Sequence, residues 1–173
     1  MEQAAKLTLI GIDNGVTGSY GIIHPDGTSS FIQTPVIRVH SYTKKKQYLR
    51  RIDWRAVVEN LPDGALAVIE RPMVNHRAFV ASMSALRALE ATLICLELKD
   101  IPYAYIDSKE WQKEFISSEV IGHKEMKEAS KEVGIKLFPC HQAKIDKHGD
   151  ADGLLIAEYA RRYTDKILRN VHT

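Results

Sequence analysis

The sequence predicts an α/β fold in which one mixed sheet is covered by helices. The first third of the chain contains three apolar runs separated by short turns, which is typical of antiparallel strands joined by hairpins. Shorter apolar runs then alternate with helical patterns, which indicates strands connected through helices. With 173 residues and 45% hydrophobic content, the chain has the size of one domain, and we expect residues 1–173 to form a single unit.

The elements are predicted in the following order. Three strand-like runs come first: LTLIGID, SYGIIH and, after the turn PDGT, SSFIQTPVIRV. The short helical pattern RIDWRAVVENL leads to the buried strand ALAVIE, which ends at Glu70. From Phe79 to Lys99, small and apolar residues recur at helical spacing without Pro or Gly, so this segment predicts the longest helix. IPYAYID is the last predicted strand. A charged helix that stops near Gly134 and a final helix in DADGLLIAEYARRY follow it.

Composition and the N-terminal segment favour a cytoplasmic protein with no membrane partner. MEQAAKLT lacks the features of a signal peptide, and the apolar runs are expected to fall short of the ~20 residues that cross a bilayer. The two cysteines, Cys95 and Cys140, are too few for a disulfide framework and lack the spacing of a zinc finger. We expect both to be reduced.

Acids stand at the carboxyl ends of three predicted strands, where ligands gather in α/β sheets: Asp13, Glu70 and Asp107. Asp13 precedes the turn NGVTGS, which suits either a loop around a nucleotide phosphate or a carboxylate that holds a metal ion. For Glu70 the simpler alternative is an ion pair with Arg71 or another basic residue. Because a buried carboxylate without a partner is costly, two such acids on separate central strands favour a shared cation.

A third acidic cluster, formed by His148, Asp150 and Asp152, precedes the last predicted helix. Residues two apart on a helix point about 200° away from each other, so only one of the two acids is directed inward. We assign Asp150 as a helix cap or auxiliary ligand and Asp152 as the inward acid. Carboxylates without cysteine favour Mg²⁺ or Mn²⁺, and two such ions about 4 Å apart hydrolyse phosphodiesters.

Four segments, taken together, resemble the RuvC-type Holliday junction resolvases of the RNase H-like superfamily, particularly their bacteriophage relatives: IGIDNGVTGSYGII, VIERP, DSKEWQK and HGDADGLLIAEYARR. The resemblance spans nearly the whole chain. It implies a five-stranded mixed sheet, three antiparallel strands followed by parallel strands, flanked by helices. It also implies a homodimer that nicks four-way DNA junctions with two Mg²⁺ or Mn²⁺ ions. The setting would be DNA recombination and repair in the cytosol of a bacterium or a phage-infected host.

The resemblance also assigns roles by position. Asp13 corresponds to the ligand between both metal ions, Glu70 to the acid of the fourth strand and Asp152 to the acid of the C-terminal helix. Lys109 matches a family position where a basic residue lies near the scissile phosphate, and a positive charge there neutralises developing negative charge.

The sequence departs from the family pattern beside the last acid. Cellular relatives carry an acid or a histidine three residues before it, and that position is Gly149 here. Either Asp150 or His148 must substitute as the fourth site residue. We expect a catalytic role for His148, and an ordinary loop histidine is the alternative.

Basic residues outside this cluster indicate DNA contact. The patch KKKQYLRRIDWR contains one acid, and we expect its lysines and first two arginines to follow DNA phosphates, although a solvated surface has the same composition: Lys44, Lys45, Lys46, Arg50 and Arg51. Where the family has an aromatic that wedges into the junction, this chain has Met73. Met73 or Phe79 could cover an unstacked base or pack in the core, and Arg77 could contact phosphate.

Other functions share some of these features. A kinase-like ATPase would need two such domains and a second phosphate loop, for which 173 residues leave no room. A nuclease acting on RNA–DNA hybrids or on RNA would use the same metal ligands. A non-catalytic junction-binding protein would not need the acids. The long helix from Phe79 is a dimer element by resemblance, and a helix that covers a sheet has the same apolar spacing.

Overall fold

The computed structural model describes residues 7–172 and contains a five-stranded sheet in the order β3-β2-β1-β6-β7. The strands pair antiparallel from β1 to β2 and from β2 to β3, and parallel from β1 to β6 and from β6 to β7. The predicted mixed sheet is therefore confirmed. Residues 1–6, which carry most of the segment considered for a signal peptide, lie outside the described range.

The strands are β1 Thr8–Asp13, β2 Ser19–Ile23, β3 Ser29–Gln33, β4 Val36–His40, β5 Tyr48–Ile52, β6 Ala65–Glu70 and β7 Tyr103–Ile106. The helices are α1 Trp54–Asn60, α2 Phe79–Glu97, α3 Ser108–Phe115, α4 His123–Leu137, α5 Gln142–His148, α6 Asp152–Arg162 and α7 Thr164–Leu168. Short 3₁₀ turns, His76–Ala78 and Pro139–His141, precede α2 and α5.

Successive side chains of β1 point to opposite faces of the sheet, so the hydrophobic core has two halves. Leu9 packs with Leu154 and the rest of α6, while Ile10 packs with Leu96 of α2 and with α1. Neighbouring strand residues point to opposite faces, so each face of the sheet receives its own helices. Cys95 lies buried in the second half and Cys140 is exposed, and both are free thiols.

The structure differs from the prediction between residues 34 and 52. The run expected to form one strand stops at Gln33, because Pro35 cannot donate to a ladder. It resumes as β4, which pairs with β5 in a separate two-stranded hairpin, so part of the basic patch KKKQYLRRIDWR is a strand. Three short helices, α3, α5 and α7, were not predicted.

Helix α4 also continues past Gly134, where the sequence predicted its end, and runs to Leu137. Gly134 is a site of close packing, since an added Cβ would come within 2.1 Å of the Ala151 Cβ. The glycine therefore brings α4 against the loop that precedes α6.

Close approach of α6 to the sheet depends on Gly11 and Gly21. An added Cβ at Gly11 would lie 2.2 Å from the Ala157 nitrogen, and one at Gly21 would lie 2.4 Å from the Leu154 Cα. Backbone atoms cannot move aside as a flexible side chain can, so these two glycines set the distance between the sheet and α6.

Gly11→Ala is expected to destabilise the protein by about 3 kcal/mol or more, because the methyl group overlaps the α6 backbone. Urea unfolding followed by circular dichroism measures the change. Gly27→Ala is the comparison variant. Nothing lies within 4 Å of its added Cβ, and only its φ of +84° opposes the change, so we expect a loss of about 1 kcal/mol. Equal losses in both variants would contradict the close-packing explanation.

One apolar segment is longer than predicted from the sequence. Within residues 7–172, the segment His76–Glu97 is long and apolar enough, by length and composition only, to cross a membrane, with a mean hydropathy of 1.6. The expectation that no segment approaches this length was wrong, because the leucines and other large apolar residues of α2 give the segment a high mean hydropathy. A helix that covers a sheet meets the same criteria, so this is weak evidence for a membrane span.

Candidate active site

Two strand ends place acids side by side at one edge of the sheet. Asp13 ends β1 and Glu70 ends β6, and these strands are parallel neighbours, with Ile12 opposite Ile69. Gly18 of the following turn lies against Asp13, since a Cβ there would be 2.0 Å from the Asp13 carbonyl oxygen and 3.2 Å from its Oδ2. The turn glycine therefore keeps side-chain atoms out of the space beside the carboxylate.

The structure shows different partners for Glu70 and Arg71. Glu70 Oε2 accepts a hydrogen bond of 2.6 Å from Nε1 of Trp111, which is fully buried on α3. Arg71 instead pairs with Asp107, at 3.0 Å, so the ion pair considered as an alternative for Glu70 is not formed. Trp111 fixes one carboxylate oxygen and leaves the other available to a ligand.

The loop before α6 brings the third acidic cluster to the same edge. Asp152, the first residue of α6, accepts a short hydrogen bond from Ser130 of α4. The Ser130 hydroxyl also accepts from the Ala151 amide at 3.2 Å. Asp150 is 1% exposed and forms an ion pair of 2.8 Å with Lys127. Asp150 is not the N-cap residue of α6, which is Ala151, although its Oδ1 accepts a long hydrogen bond of 3.5 Å from the Asp152 amide.

His148 is a buried side chain whose ring nitrogens have no hydrogen-bond partner among residues 7–172. Its side chain is 4% exposed and packs edge-on against Phe31, with 5.5 Å between ring centroids. The Nε2 atom lies 3.3 Å from Asp150 Oδ1, but the contact is poorly aligned, and neither nitrogen forms a hydrogen bond. Buried polar atoms are normally paired, so the ring is suited to a ligand or a proton.

The pKa values of these acids reflect their burial and their mutual repulsion. Burial, then the negative charges of Asp152, Glu70 and Asp150, raise the pKa of Asp13 well above its ordinary value. Burial raises the pKa of Glu70 to about 7 and that of Asp152 to about 6. Burial also raises the pKa of Asp150, but His148 and Lys127 outweigh it, and the net change is downward. Such repulsion makes the site a good receptor for a cation.

The donor set fits a hard divalent ion. Single ligand atoms of Asp13, His148 and Asp150 lie within 4.8 Å of one another, and the charges of Glu70 and Asp152 act on the same place. Carboxylate oxygens and one imidazole are ligands of Mg²⁺ and Mn²⁺, and the unpaired His148 nitrogens give such an ion a partner.

Lys109 lies apart from these acids. It is exposed at the start of α3 and lines a shallow cleft with Lys113, Tyr159 and Lys166. Among the described residues, no hydrogen bond or ion pair links Lys109 to the acids of the site. Asp107, Glu110 and Glu114 line the same cleft, and Lys166 pairs with Glu110, so the charge around Lys109 is mixed.

The predicted DNA-binding residues lie on exposed surfaces at two places. Met73 is 80% exposed and Arg77 follows it in the turn before α2, both close in sequence to Glu70, so the core alternative for Met73 and for the 67%-exposed Phe79 is wrong. The remaining residues belong to the β4–β5 hairpin: Lys44, Lys45 and Lys46 at its turn, and Arg50 and Arg51 on β5.

Three residues at the site were not predicted from the sequence: Lys127, Ser130 and Trp111. Lys127 and Ser130 stand in KEMKEASKE, where alternating charges predict an exposed helix. Trp111 is the apolar residue of a short polar helix. A tryptophan beside lysines and glutamates was the one available signal, since a lone aromatic in such a segment commonly packs inward.

Two solved structures of Thermus thermophilus RuvC have the same fold as this chain. The one in complex with a Holliday junction substrate has a TM-score of 0.54 and 17% sequence identity, and the match covers 92% of this chain and 96% of that chain. The second has a TM-score of 0.53 and 14% identity, covering 95% and 98%. No protein-family model and no curated protein matches the chain. The RuvC-like, RNase H-like fold expected from the four motifs is confirmed.

Proposed function

We propose that this chain is a divalent-metal-dependent endonuclease that nicks four-way, or otherwise branched, DNA junctions. One observation carries the proposal: ligand atoms of Asp13, His148 and Asp150 lie within 4.8 Å of one another, and the charges of Glu70 and Asp152 act on Asp13, in a fold that matches RuvC in complex with a Holliday junction substrate. Acids with raised pKa values in a cleft are characteristic of functional sites.

In this proposal Asp13, Glu70 and Asp152, with Asp150 as a further ligand, would hold two Mg²⁺ or Mn²⁺ ions, which would supply an activated water and stabilise the leaving oxygen. Trp111 orients the Glu70 carboxylate and Ser130 orients that of Asp152. A ring nitrogen of His148 is free to accept the proton of the attacking water or to complete the ligand set.

The β4–β5 hairpin is the proposed DNA-contacting arm. Arg38 and Arg50 stand opposite each other on one face of it, and His40 stands opposite Tyr48 on the same face. The Arg38 guanidinium lies 5.1 Å from the centroid of the Tyr48 ring, and the His40 ring lies 4.4 Å from it. Exposed aromatic rings among arginines suit both stacking on an unpaired base and contact with phosphates.

Arg50→Ala is expected to weaken junction binding about three- to tenfold and to reduce the dependence of the affinity on salt, because one phosphate contact is lost. Fluorescence anisotropy with a labelled junction in the presence of chelator measures both. Lys136→Ala, on the distant end of α4, is the control and should leave the affinity unchanged. Equal affinities and equal salt slopes for wild type and Arg50→Ala would show that the hairpin does not contact the DNA through Arg50.

A homodimer through α2 is also proposed. Phe79, Met83, Leu86 and Ile94 are exposed along one side of this helix, with Arg87 and Glu90 between them. Such a stripe suits pairing with a second copy, since opposite charges within it can meet across a two-fold axis.

Leu86→Glu is expected to convert a dimer to a monomer, because it places a charge in the centre of the apolar stripe. Sedimentation velocity over a concentration series measures the change. Leu168→Glu, a similarly exposed leucine on α7, should leave the dimer intact. A wild-type protein that sediments as a monomer at all concentrations would refute the dimer.

The decisive experiment for the function compares cleavage of a four-way junction, a linear duplex, a flap and an RNA–DNA hybrid, with Mg²⁺, with Mn²⁺ or with chelator. We expect paired nicks in the junction only when metal is present. Cleavage confined to the hybrid would assign the chain to the hybrid or RNA nucleases. Junction binding without metal-dependent cleavage of any substrate would make it a non-catalytic binding protein.

A further inference from the structure

Lys127 of α4 extends its ammonium group into the acidic site. Its Nζ lies 2.8 Å from Oδ2 of the buried Asp150. The negative charges of Asp150, Asp152 and Asp13 all act on this ammonium. The side chain is 46% exposed, so its head can leave the site for water without unfolding the helix.

Helix α4 directs the ammonium of Lys127 toward these carboxylates. Ser130 lies three residues further along α4, on the same side, and binds both Asp152 and the Ala151 amide. Lys131, one turn after Lys127, turns elsewhere and pairs with Asp146 at 3.0 Å. The α4 surface that packs on the loop before α6 therefore presents one ammonium and one hydroxyl to the carboxylates.

The Lys127 ammonium lies beside carboxylates that a divalent ion would also bind. Asp150 belongs to the group whose ligand atoms lie within 4.8 Å of one another, together with Asp13 and His148. One Asp150 oxygen faces Lys127 and the other faces His148. A cation that binds this group meets a positive charge already engaged with one of its ligands.

We propose that Lys127 is a built-in cation that neutralises Asp150 in the metal-free site and competes with the divalent ion, so that Lys127 sets the affinity of the site for metal. The inference rests on the proposed metal-dependent function. Without Lys127 the buried Asp150 would stand among other acids with only the His148 imidazole, 3.3 Å away, facing one of its oxygens, at a cost in stability. A divalent ion that binds Asp150 must therefore displace Lys127 or share the Asp150 carboxylate with it.

The test measures Mn²⁺ binding without DNA, by calorimetry and by the electron paramagnetic resonance signal of free Mn²⁺. Lys127→Gln is expected to lower the dissociation constant at least about tenfold, since it removes a positive charge a few ångströms from the ion. Lys127→Arg keeps the charge and should remain within about threefold of wild type. Lys131→Gln, the matched control on the next turn, should bind Mn²⁺ like wild type.

A second pair of variants covers the case in which Lys127→Gln fails to fold. Asp150→Asn retains the lysine without its partner, and Asp150→Asn with Lys127→Gln removes both charges. The double variant is expected to bind Mn²⁺ at least about tenfold more tightly than Asp150→Asn alone. Equal affinities within this pair, or equal or weaker binding in Lys127→Gln than in wild type, would overturn the inference.

These outcomes are separate from those of the proposed function. Mn²⁺ binding that depends on Asp13 but ignores Lys127 refutes only the role of the lysine. Failure of wild type to bind Mn²⁺ at all refutes both the lysine's role and the metal-dependent function. A tighter Lys127→Gln site in a protein that does not cut junctions supports the built-in cation and refutes the choice of substrate.

Discussion

Asp13→Asn is expected to reduce junction cleavage by at least about 1,000-fold, because loss of the shared ligand removes several kcal/mol of charge stabilisation in the transition state. Asp13 is the most central of the acids, since Asp152, Glu70 and Asp150 all act on its pKa. Asparagine has the same shape and removes a repelled charge, so folding should be unaffected or improved. Single-turnover cleavage with Mn²⁺ measures the effect.

The control for Asp13→Asn is Asp26→Asn, an exposed acid in the turn between β2 and β3. It should cleave at the wild-type rate. Both variants should bind the junction in chelator within about twofold of wild type, because a single charge change alters nonspecific DNA affinity only slightly. Cleavage by Asp13→Asn at more than a tenth of the wild-type rate would remove Asp13 from the metal centre.

The metal-free protein is expected to lose stability as the pH rises from about 5 to about 8. Burial, with the neighbouring acids, raises the pKa of Asp13 well above its ordinary value, that of Glu70 to about 7 and that of Asp152 to about 6. The folded state therefore binds more protons than the unfolded state in this range. Stability is fully present below the unfolded pKa values and is lost as the pH passes the folded ones.

The size of this loss is on the order of a few kcal/mol. Urea unfolding in chelator at several pH values measures it. His141 contributes the opposite slope, because burial lowers its pKa, so the decisive quantity is the difference between wild type and Glu70→Gln with Asp152→Asn. The double variant should lose less stability over this range, and Mn²⁺ should abolish most of the wild-type loss. Identical pH profiles for the two proteins would contradict the crowding of these carboxylates.

Strand periodicity was sufficient to predict the sheet and the positions of its acids. Asp13 and Glu70 each follow an apolar run, and a strand that ends at the sheet edge leaves its last side chain beside that of its parallel neighbour. The β4–β5 hairpin was not predictable in the same way. Most residues of its two strands are exposed, so they show no regular alternation of buried and exposed positions. The β4 segment was predicted only as the end of the third strand, and β5 was not predicted as a strand.

The partners of the acids could not be predicted, because they depend on tertiary packing. Lys127 reaches Asp150 only because α4 packs on the loop before α6, through Gly134 and Ala151. The same lysine in an isolated helix would be one of several surface charges. Asp150 was assigned as a cap or auxiliary ligand from its place before α6; the cap half of this prediction is wrong, because the structure buries Asp150 beside this lysine and Ala151 is the N-cap residue.

The most direct test of the metal centre is an anomalous difference map from crystals of the protein soaked with Mn²⁺. A peak bound by Asp13, with Glu70 or Asp152 as a further ligand, is the predicted result, and Asp13→Asn crystals should lack it. A map in which Mn²⁺ avoids Asp13 at saturating concentration, while these carboxylates keep only protein partners, would contradict the proposed metal-dependent nuclease.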